Sequence, residues 1–323
     1  MSSTDRETAI FLTTDRGYLI PTLVAVSQII ADPEVRRRAD VIVFLVDFME
    51  TESVEIAREF SSWAVTFRNF SSAAYALPHD ATYNPTHVPQ SALARLAVGR
   101  EIPEKYRKVV YIDGDVQIVD SIVPLIEAEP VKGNILAACD HAYINWSEQG
   151  GYAQSIRDYL MALNIHNPKD YFNSGVLAAS RDDWIEISDR ALAYMRSNSH
   201  LCRFHDQSAL NAVCVGKREP LSPRFNFVSW YGRLSWFDRV KPSIIHFTGG
   251  EKPWNARPGT LPGRFTGTYQ ALVDEFPFLE RYWSKMNRKP ARGGLEVGWL
   301  LPWRRLIRKQ KVGRYLQTTN FTV

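Results

Sequence analysis

Cysteine is scarce in this chain. Cys139, Cys202 and Cys214 are odd in number and lack the close paired spacing of a zinc site or a CxxC redox motif, which fits a reduced, cytoplasmic compartment. No uninterrupted apolar stretch is long enough to cross a bilayer, and the opening MSSTDRETAIFLTTD lacks the basic region, apolar run and small-residue cleavage site of a secretory signal. A soluble protein, or one attached peripherally to a membrane's inner face, is expected. No repeat of fixed period is visible, which argues against solenoids and propellers. Charge of one sign is lacking too: a net +4 over 323 residues gives no argument for a nucleic-acid partner. With 45% hydrophobic and 23% charged residues, the bulk of the chain falls outside the disordered, collagenous and low-complexity classes.

What is present is alternation of strand and helix patterns. Thr8 to Thr14 is a short apolar and β-branched run ending at Asp15, and Tyr18 to Ile30 follows with Leu19, Leu23, Val26 and Ile30 at helical spacing. Val41 to Val46 is a continuous apolar run of the kind that a parallel strand covered on both faces requires, and Thr51 to Phe60 reads as its helix. Ala64 to Phe70 predicts a third strand, Ser91 to Val98 a helix, and Lys108 to Ile112 another buried strand. Ile135 to Cys139, Gly175 to Ala179 and Ser243 to Phe247 read as strands, and Phe265 to Trp283 as a closing helical region. Such alternation predicts an α/β, doubly wound, mainly parallel sheet. Ligands bind such sheets beyond the carboxyl ends of the strands, which puts Asp15 and the Asp113-Gly114-Asp115 turn on one rim.

In VVYIDGDV, two carboxylates separated by one glycine follow an apolar strand. They can converge on one hard cation, magnesium or manganese, that bridges phosphate oxygens and neutralises a departing diphosphate. A bare DxD is more often a loop of solvated aspartates, but here His246, after the apolar run of SIIHF, offers a nitrogen ligand. Gly249 allows close approach of backbone N–H groups to phosphate, and Lys252 supplies a cation to the same oxygens.

LTTDRGY, ARL followed by VVYIDGD, YFNSGV, HDQSALN, RFNF and HFTGGEKPW occur in the order seen in family 8 glycosyltransferases. Over Thr8 to Trp254 the chain resembles that family, especially the retaining galactosyltransferases of bacterial lipooligosaccharide synthesis. The resemblance implies one Rossmann-like nucleotide-sugar-binding domain of the GT-A type over residues 8–283, followed by a basic amphipathic tail over 284–323. It also implies a UDP-sugar donor and a saccharide or glycolipid acceptor. Thr13, Thr14, Asp15 and Tyr18 match the segment that holds uracil and ribose. Asp113, Asp115 and His246 match the metal ligands, usually for manganese, and Gly114, Gly249 and Lys252 the diphosphate contacts. Arg95 and Asp140 match positions that bind the donor sugar. His87 matches a residue lining the sugar and acceptor site, and Asn173, Asp206 and Gln207 match the pocket around the reacting carbon. Gly17 departs from the pattern, standing where relatives can carry a polar side chain.

Asn173 could also brace a turn, and Asp206 could cap a helix over Gln207 to Val213. Retention in glycosidases comes from a carboxylate nucleophile opposite the leaving group. Gln207 there is a poor nucleophile, which favours same-face attack over a covalent adduct on Asp206. From Arg288 onward the balance is basic, and Trp303, Leu306 and Ile307 share one helical face while Arg304, Arg305, Arg308 and Lys309 lie off it. That segment suits an anionic lipid surface, the alternative being a helix docked on the main domain. Two rivals from other classes are a haloacid-dehalogenase-like phosphohydrolase with Asp113 as nucleophile, and a catalytically inactive UDP-sugar-binding protein.

Overall fold

The computed structural model describes residues 6–79, 81–82, 90–283, 286 and 302–323. The strands are β1 (Thr8–Thr14), β2 (Ala39–Val46), β3 (Val65–Phe70), β4 (Lys108–Ile112), β5 (Val116–Ile118), β6 (Ile135–Cys139), β7 (Phe172–Ser180), β8 (Arg218–Pro220), β9 (Phe227–Val228) and β10 (Ile244–His246). Seven of them form one sheet in the order β3-β2-β1-β4-β7-β6-β8. Every neighbouring pair is parallel except the two that β7 makes, with β4 and with β6. The expected parallel α/β sheet is therefore present with one reversed strand inside it.

The apolar runs are continuous because both faces of the sheet are covered. Ile10, Leu12, Val41, Val43, Val110 and Ile112 pack on one side with Leu23 and Val26 of helix Leu19–Ala31 and Tyr269 of helix Thr266–Glu275. Ala9, Phe11, Ile42, Phe44, Val109 and Tyr111 pack on the other with Trp184 and Ile187 of helix Arg181–Ser197. Odd and even residues of each strand thus belong to different cores, as the period of two demands. Since β1 and β4 are parallel neighbours, their carboxyl ends share a rim, and Asp15 and Asp113 both lie at that rim.

Several elements differ from the sequence expectation. Ser91 to Val98 is helical as expected, but in 3-10 form and in two pieces, Gln90–Leu96 and Val98–Glu101. Leu93, Ala94, Arg95 and Leu96 are all buried in succession, so these four residues do not show the alternation of faces that an amphipathic helix presents. Ser243 to Phe247 leaves the main sheet: β10 sits in a three-stranded sheet, β5-β10-β9, antiparallel to β5 and parallel to β9. Helix His205–Val213 begins one residue before Asp206, with Phe204 at its cap position, so Asp206 lies in the first turn and is not the cap.

The tail forms helix Pro302–Thr318. Its later turns are docked: Val312 and Tyr315 are buried against Tyr143, Ile144 and Ile245, Arg308 pairs with Glu148 at 2.7 Å, and Lys311 donates to the Ile144 carbonyl at 2.8 Å. Its first turns are not. Trp303, Leu306 and Ile307 are 54%, 56% and 40% exposed, on the side of the helix away from Val312 and Tyr315 by helical spacing. Among the described residues no helix is long and apolar enough to cross a membrane.

Candidate active site

The seven-stranded and three-stranded sheets bring together residues far apart in sequence. Asp113 extends β4, its N–H donating to the Gly175 carbonyl at 2.8 Å, while Asp115 immediately precedes β5, which pairs His246 with Val116. Phe247 N–H donates to the Asp115 carbonyl at 3.1 Å, which locks β10 to the aspartate turn. Gly114 is required by close packing rather than by an unusual φ, because a Cβ there would collide with the Thr22 hydroxyl of helix Leu19–Ala31.

His246 Nε2 lies 3.3 Å from Asp115 Oδ1 and 3.6 Å from Asp113 Oδ2. One ligand atom from each of the three residues falls within 4.8 Å of the others. Two carboxylate oxygens and one imidazole nitrogen at this spacing fit a single manganese or magnesium ion, whose bonds to such donors are about 2.0–2.2 Å. Lys252 reaches the same carboxylate, with Nζ 2.5 Å from Asp115 Oδ2. Burial alone would raise the Asp115 carboxyl, but Lys252 and His246 outweigh it and hold it below the ordinary carboxylate range. Burial works to lower Lys252, and Asp115 more than offsets it, so the ammonium is stabilised.

Behind this group lies a buried arginine with two acidic partners. Arg95, 5% exposed, places Nη2 3.0 Å from Asp113 Oδ1 and Nε 3.1 Å from Asp206 Oδ2, donates Nη1 to the Ser174 carbonyl at 3.0 Å, and stacks 4.5 Å over the Tyr111 ring. The Arg95 Nε–H itself is directed at the Ala92 carbonyl. Asp206 Oδ2 therefore has an ion pair but no N–H aimed at it.

Burial pushes the Asp206 carboxyl up to about 6 against the pull of Arg95, with Asp113 adding to the rise. A carboxyl whose folded pKa exceeds the unfolded value of about 3.9 holds its proton more tightly in the fold, so its contribution to stability declines as pH rises from about 4 to about 6. Above that window the cost is complete, of order 3 kcal/mol. Asp206→Asn should remove it. The difference in urea-unfolding free energy between variant and wild type is expected to grow in the variant's favour by about that amount between about pH 4 and pH 7. A difference that stays constant with pH would mean that the Asp206 pKa is not raised.

Asn173 and Gln207 extend the cluster. Gln207 Oε1 accepts from Ser174 N–H and from Asn173 Nδ2, both at 3.2 Å, and its amide nitrogen donates to Tyr171 at 2.9 Å. Asp140 Oδ1 accepts from Ala142 N–H at 3.0 Å, leaving Oδ2 3.4 Å from Asn173 Nδ2. On the adjoining rim, Asp15 accepts from Gly17 and Tyr18 N–H at 2.8 and 3.0 Å and from the Ser91 hydroxyl, so it anchors the entry to helix Leu19–Ala31. Tyr18 meets Trp254 edge-on at 5.8 Å, Thr14 is buried at the end of β1, and Thr13 precedes it. Gly249 lies in the turn between His246 and Lys252, and His87 lies outside the described residues.

Sequence reasoning missed Tyr111, which donates to Asp113 Oδ1 and supports Arg95. Its signal was available, since two residues before Asp113 on a strand is the same face. Tyr171 and Asn226 were given no role either, although each lies inside a quoted motif, YFNSGV and RFNF.

The fold resembles solved glycosyltransferases. The galactosyltransferase LgtC, solved with donor and acceptor sugar analogues, matches with a TM-score of 0.66 at 21% identity, covering 84% of this chain and 99% of that one. The apo structure of the bifunctional glycosyltransferase WbbM matches at 0.65 with 17% identity, over 88% of this chain and 53% of that one. Residues 9–257 match the model of glycosyl transferase family 8, and the chain belongs to that family. General stress protein A of Bacillus subtilis is 25% identical over 53% of this chain and 61% of its own length, so the chain spans under two thirds of that relative. A probable galacturonosyltransferase-like protein of Arabidopsis thaliana is 27% identical over 50% of the chain and 49% of its own length. Lipopolysaccharide 1,3-galactosyltransferase of Salmonella typhimurium is 22% identical over 75% of the chain and 71% of its own length.

Proposed function

We propose that the chain is a metal-dependent, retaining hexosyltransferase that moves galactose or glucose from a UDP-sugar to a saccharide or glycolipid acceptor in lipopolysaccharide or surface-glycan synthesis. The observation that carries this reading is the convergence of Asp113, Asp115, His246 and Lys252 on one side of Arg95, with Asp206, Asn173 and Gln207 around its other contacts. Membership of family 8 and the similarity to a lipopolysaccharide galactosyltransferase support it. Residues 8–283 are read as the catalytic domain and 284–323 as its tail.

In this reading Tyr18 stacks on uracil while Thr13, Thr14 and Asp15 bind the nucleoside. Asp113, Asp115 and His246 hold Mn2+ or Mg2+, which when bound neutralises charge on the diphosphate. Lys252, with Gly114 and Gly249 as further contacts, binds the same phosphates and stabilises their release. Arg95, Asp140 and Asn173 bind the sugar, with His87 beside the acceptor. Gln207 presents its carbonyl dipole to the oxocarbenium carbon, and attack from the same face lets a phosphate oxygen take the acceptor proton. Asp206 is a poor candidate for a covalent nucleophile because its outer oxygen is turned to Arg95 in a buried site. The phosphohydrolase alternative would require Asp115 to carry a proton as acid, against the hold of Lys252 and His246 on its charge.

The deciding experiment is UDP release from a panel of UDP-hexoses with and without Mn2+. One donor turned over only with metal is expected, and no turnover together with no metal-dependent UDP binding would overturn the reading.

The tail supplies the attachment. Trp303, Leu306 and Ile307 with exposed Arg304 and Arg305 suit an anionic bilayer surface, where each basic residue contributes about 1 kcal/mol. Arg304→Ser with Arg305→Ser should weaken binding to phosphatidylglycerol vesicles by roughly 30-fold and leave UDP binding unchanged. Equal sedimentation with anionic and neutral vesicles would count against attachment through these charges.

A further inference from the structure

The partners of His246 determine which of its nitrogens is free, and they trace to a residue in none of the roles above. Gly175 N–H donates to Asn173 Oδ1 at 3.0 Å. A backbone N–H is always a donor, so that side-chain atom must be the oxygen. Asn226 Nδ2 donates to the same oxygen at 2.9 Å. With its nitrogen so committed, Asn226 turns Oδ1 to His246 Nδ1 at 3.0 Å. An amide oxygen only accepts, so Nδ1 carries the proton. Nε2, the atom facing Asp113 and Asp115, keeps its lone pair in the neutral ring.

The relay has a second arm. With Oδ1 assigned, Asn173 Nδ2 faces Gln207 Oε1 at 3.2 Å, and Ser174 N–H at 3.2 Å independently requires an oxygen at that Gln207 atom. Two backbone amides therefore orient three side-chain amides and one imidazole. Asn173, Asn226 and His246 are 6%, 1% and 5% exposed, so water does not compete for these bonds. Gly175 completes the arrangement, because a Cβ at that position would collide with Cε1 and Nδ1 of the His246 ring.

We propose that Asn226 is a positioning residue of the metal seat, holding His246 with Nδ1 protonated and Nε2 toward the two carboxylates, and tying that seat through Asn173 to the Gln207 amide. This rests on the reading of Asp113, Asp115 and His246 as metal ligands. A hydrogen-bond acceptor behind a ligating histidine fixes its tautomer and raises its basicity, and losing one costs about 10- to 100-fold in metal affinity.

Asn226→Asp and Asn226→Leu separate the two arms. Aspartate still accepts from Nδ1–H but cannot donate to Asn173, whereas leucine does neither. In the full chain, Mn2+ affinity followed by electron paramagnetic resonance should fall about 10- to 100-fold for Asn226→Leu and stay within about threefold of wild type for Asn226→Asp. The kcat for UDP release should fall in both, since both lose the Asn173 arm. Nitrogen-15 spectra of the metal-free wild type should show the His246 proton on Nδ1. Wild-type Mn2+ affinity in a folded Asn226→Leu protein, equal weakening in both variants, or a neutral His246 ring with its proton on Nε2 would each overturn the proposal. Should the leucine variant fail to fold, the aspartate variant and the spectrum decide. A wild type that binds no Mn2+ would remove the proposed metal and its reaction, and the spectrum would still decide how Asn226 holds His246.

Discussion

Replacing Asp113 and Asp115 together by alanine is expected to abolish metal-dependent UDP release, a loss of at least about 10³-fold, because charge stabilisation by a bound cation supplies several kcal/mol to a departing diphosphate. The substitution also changes the fold's electrostatics. Lys252 loses the carboxylate that raises its pKa, and Arg95 keeps only Asp206. Leaving a buried charge without its partner costs about 3–5 kcal/mol, so the alanine variant should also unfold at lower urea. Asp113→Asn with Asp115→Asn preserves shape and one acceptor oxygen per side chain while removing the negative charge. A matching loss of activity in both variants, with Mn2+ binding absent from each, would place the effect in the metal seat. Retained activity in the asparagine pair would remove the carboxylates from the mechanism.

For Lys252→Met two effects of opposite sign are expected. Removing one preorganised cationic donor from a leaving group costs about 10²- to 10³-fold in turnover. Yet in the structure the Lys252 ammonium lies 2.5 Å from Asp115 Oδ2, on a carboxylate that a metal ion would also need. With methionine there, Asp115 has no competing cation, and Mn2+ should bind the nucleotide-free protein more tightly than it binds wild type. Steady-state UDP release and a Mn2+ titration without nucleotide read the two effects separately. Weaker binding together with lower turnover would mean that Lys252 braces the seat instead of competing for it.

The parts of this architecture that could be read from the sequence are those where burial leaves a local mark. β1, β2, β4 and β6 are covered on both faces, and their apolar runs announce them. Asp113 and Asp115 were legible because an apolar strand leads into them, and His246 because it ends another such run. An apolar run carries no direction, however, so the reversal of β7 could not be read, nor could the transfer of β10 to the smaller sheet. The Gln90–Leu96 segment is helical as its spacing suggests, but its 3-10 form is not marked in the sequence. Asn226 acts only through contacts with residues distant in sequence, Asn173 and His246. The RFNF motif marks its position, but its partners are set by topology and cannot be read from neighbouring residues.

The reversal of β7 has a consequence for how such a site can diversify. A parallel strand delivers its last residues to the rim, so its reach is tied to the length of everything before it in the sheet. β7 runs the other way and delivers its first residues, Phe172 to Gly175, directly opposite the end of β4. The whole excursion from Asp140 to Tyr171, including helix Gly151–Ala162, therefore leaves the rim and returns to it as a closed loop. Insertions or deletions within that excursion reshape the surroundings of Asn173 and Gln207 without shifting the register of β4 or the spacing of the aspartate pair. One stretch of the chain is free to change in length while the strand that carries the aspartate pair keeps its place.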